Sequence, residues 1–279
     1  MPASRSRSLL EARWTGPLVV SYAQNAEDIR LWRLFEGQPS GFYVDVGAGD
    51  PMVDSVTKLF YDAGWSGINV EPGPCYTALV RARPRDVNLN VAVGERSGRR
   101  ALWVTRPDTA LSSLVEPDPL SLPPGLSVEK TVVDVASLDD VFSAHASERR
   151  IDFLKIDAEG AEREVLASFD REANRPRVVL VEAISPLSNR PTHDEWESLL
   201  LEADYVLAAF DGINRFYVPV EHEDAVPTLA YPISSLDRYE SSRVAVLKAL
   251  VDEMEDTLSW RVTRPLRRVR GLQRAFFRR

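Results

Sequence analysis

The chain of 279 residues contains one cysteine, Cys75, and no apolar run that approaches the length of a membrane span. A single cysteine excludes an internal disulfide framework and is typical of proteins in a reducing compartment. A membrane-spanning helix needs about 18 apolar residues in sequence. The first fourteen residues hold three arginines but no apolar segment of the kind found in secretory signals. We therefore expect a cytoplasmic globular protein.

Basic residues are scarce relative to acids, except at the end of the chain. The net charge is −8, yet residues 260–279 carry eight arginines and no acid, which leaves −16 for the other 259 residues. Enzymes that act on nucleic acids usually carry a basic surface on their core, so we expect no nucleic-acid partner. The arginines of the tail alternate with apolar residues, which predicts a basic amphipathic segment. It either docks on an anionic surface or folds back on the acidic core.

Strand-like and helix-like segments alternate along most of the chain, which predicts an α/β fold with a parallel sheet covered on both faces. The predicted strands are 42–46, 67–71, 87–93, 99–105, 129–133, 151–156 and 177–183, and the predicted helices are 51–63, 74–83, 137–146, 159–169 and 192–202. Residues 205–210 and 213–218 flank Asp211-Gly212, a turn signal for an antiparallel hairpin. A mostly parallel, Rossmann-like sheet of seven strands closed by such a hairpin is the architecture of class I methyltransferases.

Three segments depart from this alternation. Residues 106–128 hold five prolines and predict a long loop. Residues 221–242 look irregular, and 242–258 carry apolar residues at helical spacing, which favours a packing helix. We expect a main domain over residues 1–220, with a lid at about 1–40, and a second region over 221–279 that contains the irregular linker, the helix and the tail.

The most informative segment is Gly41-Phe-Tyr-Val-Asp-Val-Gly-Ala-Gly-Asp-Pro51, which reads as a buried strand, a tight turn and a helix start. Asp50 is the expected N-cap and Pro51 the first helical residue. A second apolar run ends at Glu71, whose carboxylate can accept hydrogen bonds from both hydroxyls of a ribose. Glycines in the turn would let the backbone approach this nucleoside closely. The alternative is a purely structural strand–helix turn.

The identity of the nucleoside follows from what the turn lacks. A dinucleotide-binding turn carries a third glycine, but Met52 stands at that position. Pro51 also removes a backbone amide that a pyrophosphate would use. A ligand with an amino-acid tail and no phosphate fits better, and S-adenosylmethionine is such a ligand.

Several motifs together resemble the FkbM family of S-adenosylmethionine-dependent O-methyltransferases, over about residues 20–220. They are Ser21-Tyr-Ala-Gln-Asn-Ala-Glu-Asp28, Gly41-Phe-Tyr-Val-Asp-Val-Gly-Ala48, Asp54-Ser-Val-Thr-Lys58, Gly64-Trp-Ser-Gly-Ile-Asn-Val-Glu-Pro72, Lys155-Ile-Asp-Ala-Glu-Gly-Ala-Glu162 and Asp211-Gly-Ile-Asn-Arg-Phe-Tyr217. The resemblance implies methylation of a hydroxyl, on a sugar of a surface glycan or glycolipid or on a related natural product. Residues 259–267 also resemble a tail of bacterial polysaccharide-assembly proteins.

The expected cofactor site combines strand ends with the N-terminal motif. It comprises Asp45, Gly47, Ala48, Gly49, Glu71, Pro72, Gln24, Asn25, Asp28 and Ala92. Two other functions stay open: a polyketide or small-molecule O-methyltransferase, and an idle methyltransferase-like module that docks on a glycan-assembly complex. The tail, Arg261 to Arg279, would bind either glycan-assembly proteins or the anionic inner face of the plasma membrane.

The candidates for catalysis stand at or near the ends of later strands, where ligands of open α/β sheets bind. Asp157 and Lys155 belong to one strand end, Glu182 to the next, and His193 opens the following helix. Asp157 alternatively caps that strand's helix, and His193 alternatively is a surface residue within a capping box. Removing the proton of a sugar hydroxyl needs a base or a metal.

Two further interpretations concern the same region. Asp157 and Glu182 would supply the hard oxygen ligands that Mg²⁺ prefers, and the sequence does not decide between metal and base catalysis. Ser112 and Ser113 of the long loop are candidates to hydrogen-bond the cofactor or the acceptor.

Overall fold

The computed structural model describes residues 18–107, 109–117, 122–147, 149–185, 188 and 190–263. The chain divides into two compact units, Tyr22–Asp237 and a second unit of Met1–Ser21 with Arg238–Arg279. Residues 1–17 of the predicted lid and residues 264–279 of the predicted basic tail lie outside the described residues.

The described strands are β1 (Val19–Ser21), β2 (Phe42–Val46), β3 (Ser66–Val70), β4 (Val87–Leu89), β5 (Ala92–Val93), β6 (Gly98–Arg106), β7 (Ser127–Ala136), β8 (Phe153–Ile156), β9 (Val179–Glu182), β10 (Tyr205–Phe210), β11 (Asn214–Pro219) and β12 (Tyr239–Ser241). The described α-helices are α1 (Glu27–Leu34), α2 (Lys58–Asp62), α3 (Tyr76–Ala82), α4 (Leu138–His145), α5 (Glu162–Ala167), α6 (Glu197–Leu201), α7 (Val226–Ala230) and α8 (Ser242–Asp256). Short 3₁₀ turns cover His193–Glu195, Val220–Ala225 and Ser235–Asp237.

The central sheet of the larger unit has the strand order β10-β11-β9-β8-β2-β3-β4. The strands from β9 to β4 run parallel to one another, whereas β11 runs antiparallel to both β9 and β10. Every residue of β2 and β8 is buried, as expected for strands covered on both faces. The prediction of an α/β fold with a mostly parallel sheet is therefore confirmed, and so is the hairpin, in which Gly212 has a positive φ of 105°.

Successive residues of the buried strands contribute to two separate hydrophobic cores, one on each face of the sheet. In β8, Leu154 and Ile156 belong to the first core, whereas Phe153 belongs to the second. The second core is rich in aromatic rings: Phe60 and Trp65 lie with their centroids 4.9 Å apart, and Phe60 is equally close to Phe153. These two cores cover the sheet from both sides.

Two of the predicted strands do not belong to the central sheet. Strands β6 and β7 pair with each other in antiparallel fashion and form a three-stranded sheet with β5. Most side chains of β7 are exposed or half-buried, so this strand does not suit a sheet covered on both faces. The predicted strand 87–93 is likewise split between the two sheets, into β4 and β5.

Three predicted α-helices begin three or more residues later than expected. Residues 51–57 are irregular before α2, because the Asp50 carboxylate accepts hydrogen bonds from the amides of Met52 and Val53 and forms a turn rather than a helix cap. Helix α5 starts at Glu162, since Glu159 has a φ of +51° that a right-handed helix does not allow. The predicted helix 192–202 is divided into a 3₁₀ turn and α6.

The smaller unit contains β1, which pairs with β12 in parallel, and α8. The expected helix is present as α8, but no residue of α8 is buried, so its apolar residues are not packed in a core among the described residues. Among the described residues, no helix combines the length and the apolar character that crossing a bilayer requires.

Candidate functional site

A cavity of about 1030 Å³ opens at the carboxyl ends of β2, β3, β8 and β9 in the larger unit. The loops that follow these four strands form its walls, together with the part of the long loop over residues 107–114 that the structure describes. Most of the predicted site residues line it: Gln24, Gly47, Ala48, Gly49, Glu71, Pro72, Ala92, Lys155, Asp157, Glu182, Ser112 and Ser113. Parallel strand ends meet at one edge, so residues far apart in sequence converge here.

The two glycines of the turn after β2 serve different purposes. Both have positive φ, 72° for Gly47 and 57° for Gly49. A Cβ at Gly47 would lie 1.8 Å from the carbonyl oxygen of Asp157, so this glycine is needed for the close approach of two protein segments. A Cβ at Gly49 would have no atom within 4 Å. Only Gly49 therefore offers the open backbone that a close ligand requires.

Glu71 joins the turns that follow β2 and β3. One carboxylate oxygen accepts a hydrogen bond of 2.9 Å from the Gly49 amide, and the other accepts one of 2.7 Å from the Gly73 amide. Burial raises the pKa of Glu71, although the two amides act in the opposite direction. A carboxylate has about four acceptor positions, so Glu71 keeps acceptor capacity for a ligand after holding both turns.

Lys155 is a buried cation that connects three parts of the site. Its Nζ donates to the carbonyl of Gly47 at 2.8 Å and lies 3.3 Å from Asp45 and 3.2 Å from Asp157. Burial lowers the pKa of Lys155, but the carboxylates of Asp157 and Asp45 outweigh it, so the net pKa is raised. Lys155 therefore stays charged and positions its neighbours; it is not a proton acceptor.

Asp45 was predicted as a cofactor residue, but it lies beneath the cavity rather than on its wall. Its side chain is 1% exposed. One carboxylate oxygen accepts a hydrogen bond from the Thr57 hydroxyl at 3.0 Å, and the other faces Lys155, its direct neighbour in the β2–β8 register. Its observed contacts anchor the lysine.

Three carboxylates converge at the ends of β8 and β9. Oxygens of Asp157, Glu159 and Glu182 all lie within 4.8 Å of one another. The observed Asp157 carboxylate pairs with Lys155, and no side chain caps α5. Glu162, the first residue of α5, accepts hydrogen bonds from the amides of Ala158 and Gly160 and so holds the turn before the helix. We call Asp157, Glu159 and Glu182 the carboxylate trio.

The trio has an unusual protonation state. Burial raises the pKa of Glu182 strongly, and the negative charges of Asp157 and Glu159 raise it further, whereas Lys155 lowers it only partly. The raised pKa favours the protonated form of Glu182, while Asp157 stays next to a cation. Glu159 was not predicted from the sequence, although its position two residues after Asp157 was a usable signal.

The N-terminal motif is divided between the cavity and its surroundings. Gln24 lines the cavity. Asp28 is fully buried and accepts hydrogen bonds from the amides of Tyr22 and Ala23, and Asn25 donates to the carbonyl of Asp211. Asn25 and Asp28 do not line the cavity, so their observed contacts support Gln24 and the hairpin turn instead of a ligand.

His193 differs from the other predicted catalytic residues, which line the cavity. It is not among the residues that line the cavity, and its Nε2 lies 3.3 Å from a carboxylate oxygen of its neighbour Asp194. The capping box expected around it is not formed, since the side chain of Thr192 makes no capping hydrogen bond. The structure therefore does not place His193 on the cavity wall with Asp157 and Glu182.

The serines of the long loop have structural partners. Ser113 donates to the carbonyl of Glu159 at 2.6 Å and so ties the loop to the trio, and Ser112 donates to the carbonyl of Thr109 at 2.7 Å. Cys75 and Thr109 also line the cavity, with 3.6 Å between sulfur and hydroxyl. Nothing in the sequence pattern indicated these last two residues.

The cavity wall is acidic. Its carboxylates are Asp50, Asp54, Glu71, Asp157, Glu159 and Glu182. Among the described residues that line it, Lys155 is the one basic side chain, and two acids already neutralise its charge. Such a wall favours ligands with positive charge or hydrogen-bond donors and disfavours phosphates.

Comparison with known proteins agrees with this geometry. The family model "Methyltransferase FkbM domain" matches residues 45–207, more than half of the chain, and the match covers the end of β2 and all of β3, β8 and β9 with the turns that form the cavity. No curated protein and no solved structure matches the chain significantly. The chain therefore belongs to the FkbM methyltransferase family.

Proposed function

We propose that this methyltransferase uses S-adenosylmethionine and transfers the methyl group to a hydroxyl, on a sugar of a surface glycan, a glycolipid or a related natural product. The observation that carries the proposal is the acidic cavity in which Glu71 is held by the amides of Gly49 and Gly73. The strand order, with the antiparallel hairpin at one end, supports the class I methyltransferase arrangement.

The residues present fit this cofactor. Glu71 retains acceptor capacity for ribose hydroxyls, and Gly49 leaves the backbone open beside it. Ala92 belongs to an apolar wall with Val91 and Val93, which suits the flat face of a base. The excess of carboxylates suits a sulfonium and an ammonium group. A dinucleotide would place its negatively charged pyrophosphate beside the same carboxylates, and their repulsion would weaken its binding.

The cofactor supplies a methyl group on a positively charged sulfur, and the chain's own residues must position and deprotonate the acceptor. Asp157 is the proton acceptor that the geometry favours, because it lines the cavity and is partly exposed. Glu182, held protonated by burial and by its neighbours, can donate a hydrogen bond to the acceptor oxygen. Lys155 fixes Asp157 relative to the turn at Gly47.

The carboxylate trio also fits a divalent cation, as a second version of the same chemistry. Mg²⁺ prefers hard oxygen ligands, and the three side chains converge closely enough to offer them. A cation would lower the pKa of Glu182 and favour its ionised form. Activity that survives exhaustive chelation would exclude this version and leave Asp157 as a direct base.

The sugar acceptor is supported by the resemblance and by the chemistry of the wall. Vicinal hydroxyls of a sugar can donate hydrogen bonds to the carboxylates of the trio. Transfer from labelled S-adenosylmethionine to a panel of glycans, glycolipids and polyketides tests the acceptor class. If the labelled methyl group appears only on polyketides or small molecules, the glycan assignment is wrong while the methyltransferase assignment stands.

Calorimetry and turnover together test the site. Glu71→Gln should weaken binding of S-adenosylmethionine by about tenfold or more, because one acceptor oxygen is lost. Asp157→Asn should lower turnover by about 10²–10⁴-fold with little change in cofactor affinity. Glu202→Gln, at an exposed position, is the control. A chain that neither binds the cofactor nor turns over would be the idle docking module.

His193→Ala distinguishes the two candidate bases. If Asp157 accepts the proton, this variant should keep its turnover, since His193 lies outside the lining of the cavity. A large loss of turnover in His193→Ala, with Asp157→Asn unaffected, would move the base to the histidine.

The basic tail, Arg261 to Arg279, is proposed to hold the enzyme at the anionic inner face of the plasma membrane. The support is its sequence, eight arginines interleaved with apolar residues. A chain truncated after residue 259 should stay in the supernatant when it is sedimented with anionic liposomes, while the full chain should pellet. If both chains stay in the supernatant, the tail does not bind the membrane, and its contact is a protein partner or the acidic core.

A further inference from the structure

Helix α8 exposes an apolar stripe that nothing in the described chain covers. Val244, Leu247, Val251 and Met254 follow one another at spacings of three, four and three residues, and their side chains are between 44% and 62% exposed. Leu250, beside the stripe, is 50% exposed. Helices of this length owe most of their stability to the packing of an apolar face, so the uncovered stripe calls for an external contact.

The spacing of the stripe is that of a coiled-coil seam, in which apolar residues recur at alternating steps of three and four. Val244, Leu247, Lys248 and Val251 also outline a shallow groove of about 350 Å³, together with Asp252. The first four have the sequence positions i, i+3, i+4 and i+7, which in coiled coils form the hole that receives a side chain of the facing helix. The surface is thus shaped for another helix.

We propose that α8 is the interaction surface for a second copy of this chain and that the two α8 helices pair in antiparallel orientation. The charged residues beside the seam favour this orientation over a parallel one. Lys248 and Glu255 lie seven residues apart on the same side of the seam. In an antiparallel pair centred near Asp252, Lys248 lies opposite the partner subunit's Glu255, and the symmetry of the pair makes this contact twice.

A parallel pair would have the opposite electrostatic character. It would bring Arg243, on the other side of the seam, towards the partner subunit's Lys248, which places like charges together. Lys248 also pairs with Glu240 of its own chain, which keeps the ammonium beside the seam. The charge pattern therefore favours the antiparallel arrangement.

A membrane surface fits α8 less well than a second helix does. Helices that lie on anionic membranes carry lysine and arginine on the polar face and often an aromatic residue on the other. The second half of α8 instead contains Asp252, Glu253, Glu255 and Asp256, and the helix has no aromatic residue. These acids would be repelled by anionic lipids, so the stripe is assigned to protein contact and only the tail to a membrane.

Sedimentation velocity of the full chain over a range up to about 100 µM tests the proposal, since a seam this short should give an association of roughly micromolar strength. We expect a concentration-dependent dimer. Leu247→Asp should weaken association by at least about tenfold without loss of folding, because Leu247 is exposed in the single chain. Leu201→Asp, a similarly exposed leucine outside α8, is the matched control and should leave the dimer intact.

Charge exchange tests the orientation. Glu255→Lys alone should weaken the dimer, and the double variant Lys248→Glu with Glu255→Lys should restore most of the association. A chain that stays monomeric throughout the range overturns the proposal, as does a dimer that Leu247→Asp leaves unchanged. Liposome binding that depends on Leu247 would assign the stripe to a membrane instead. None of these outcomes depends on which reaction the cavity performs.

Discussion

Replacing Glu182 with glutamine should change how the stability of the protein depends on pH. Burial and the neighbouring acids raise the pKa of Glu182 well above its ordinary value of 4.5 in the folded chain. In the unfolded chain the group titrates near that ordinary value. Between the two pKa values the folded state therefore holds one proton more than the unfolded state, and the free energy of unfolding falls as pH rises.

The size of the effect follows from this difference of one proton. Each pH unit between the two pKa values costs about 1.4 kcal/mol, so by pH 7 Glu182 has lowered the free energy of unfolding by about 3 kcal/mol relative to acid conditions. The contribution is fully present below pH 4.5 and is lost as pH rises through the raised pKa. Glutamine cannot titrate, so the variant should lack this part of the slope.

Urea denaturation of the wild-type chain and of Glu182→Gln, at intervals between pH 5 and pH 9, measures the effect. The difference in unfolding free energy should grow in favour of the variant at about 1.4 kcal/mol per pH unit. The exposed control Glu202→Gln should follow the wild type. Parallel profiles for wild type and Glu182→Gln would refute the reasoning, because Glu182 would then ionise in the folded state as it does in the unfolded one.

Three other substitutions test the framework of the site by the same denaturation assay. Gly47→Ala should destabilise the fold by at least about 2 kcal/mol, because the new Cβ meets the Asp157 carbonyl at a positive φ; an unchanged stability would contradict the observed contact. Lys155→Met should cost about 3–5 kcal/mol by leaving Asp45 buried without its cation, and adding Asp45→Asn should recover part of this loss. Burial raises the pKa of Glu27 to about 7, so its contribution to the free energy of unfolding is lost between about pH 4.5 and 7. Glu27→Gln should therefore remove a fall of up to about 3 kcal/mol in the free energy of unfolding over that range. If the free energy of unfolding of the variant depends on pH as it does in the wild type, Glu27 titrates normally.

The architecture was largely accessible from the sequence because it is encoded in local patterns. Continuous apolar runs such as 42–46 and 151–156 can bury all of their side chains only in strands that are covered on both faces, and the structure places them in such strands. Asp211-Gly212 likewise predicts its hairpin from turn chemistry alone. The first residues of the helices were harder to predict, because the side chain of Asp50 can stabilise a turn as readily as it can cap a helix.

The sequence by itself determined the family, the parallel strands and the set of residues at their ends, because motif spacing and hydrophobic periodicity are properties of short segments. Tertiary structure alone decided which of those residues meet. The position of β8 between β2 and β9 pairs Asp45 with Lys155, presses Gly47 against Asp157 and gathers Glu159 and Glu182 around Asp157. His193 is left outside the cavity wall and the stripe of α8 is left uncovered. These outcomes depend on strand order and on long-range packing, which no local pattern of residues specifies.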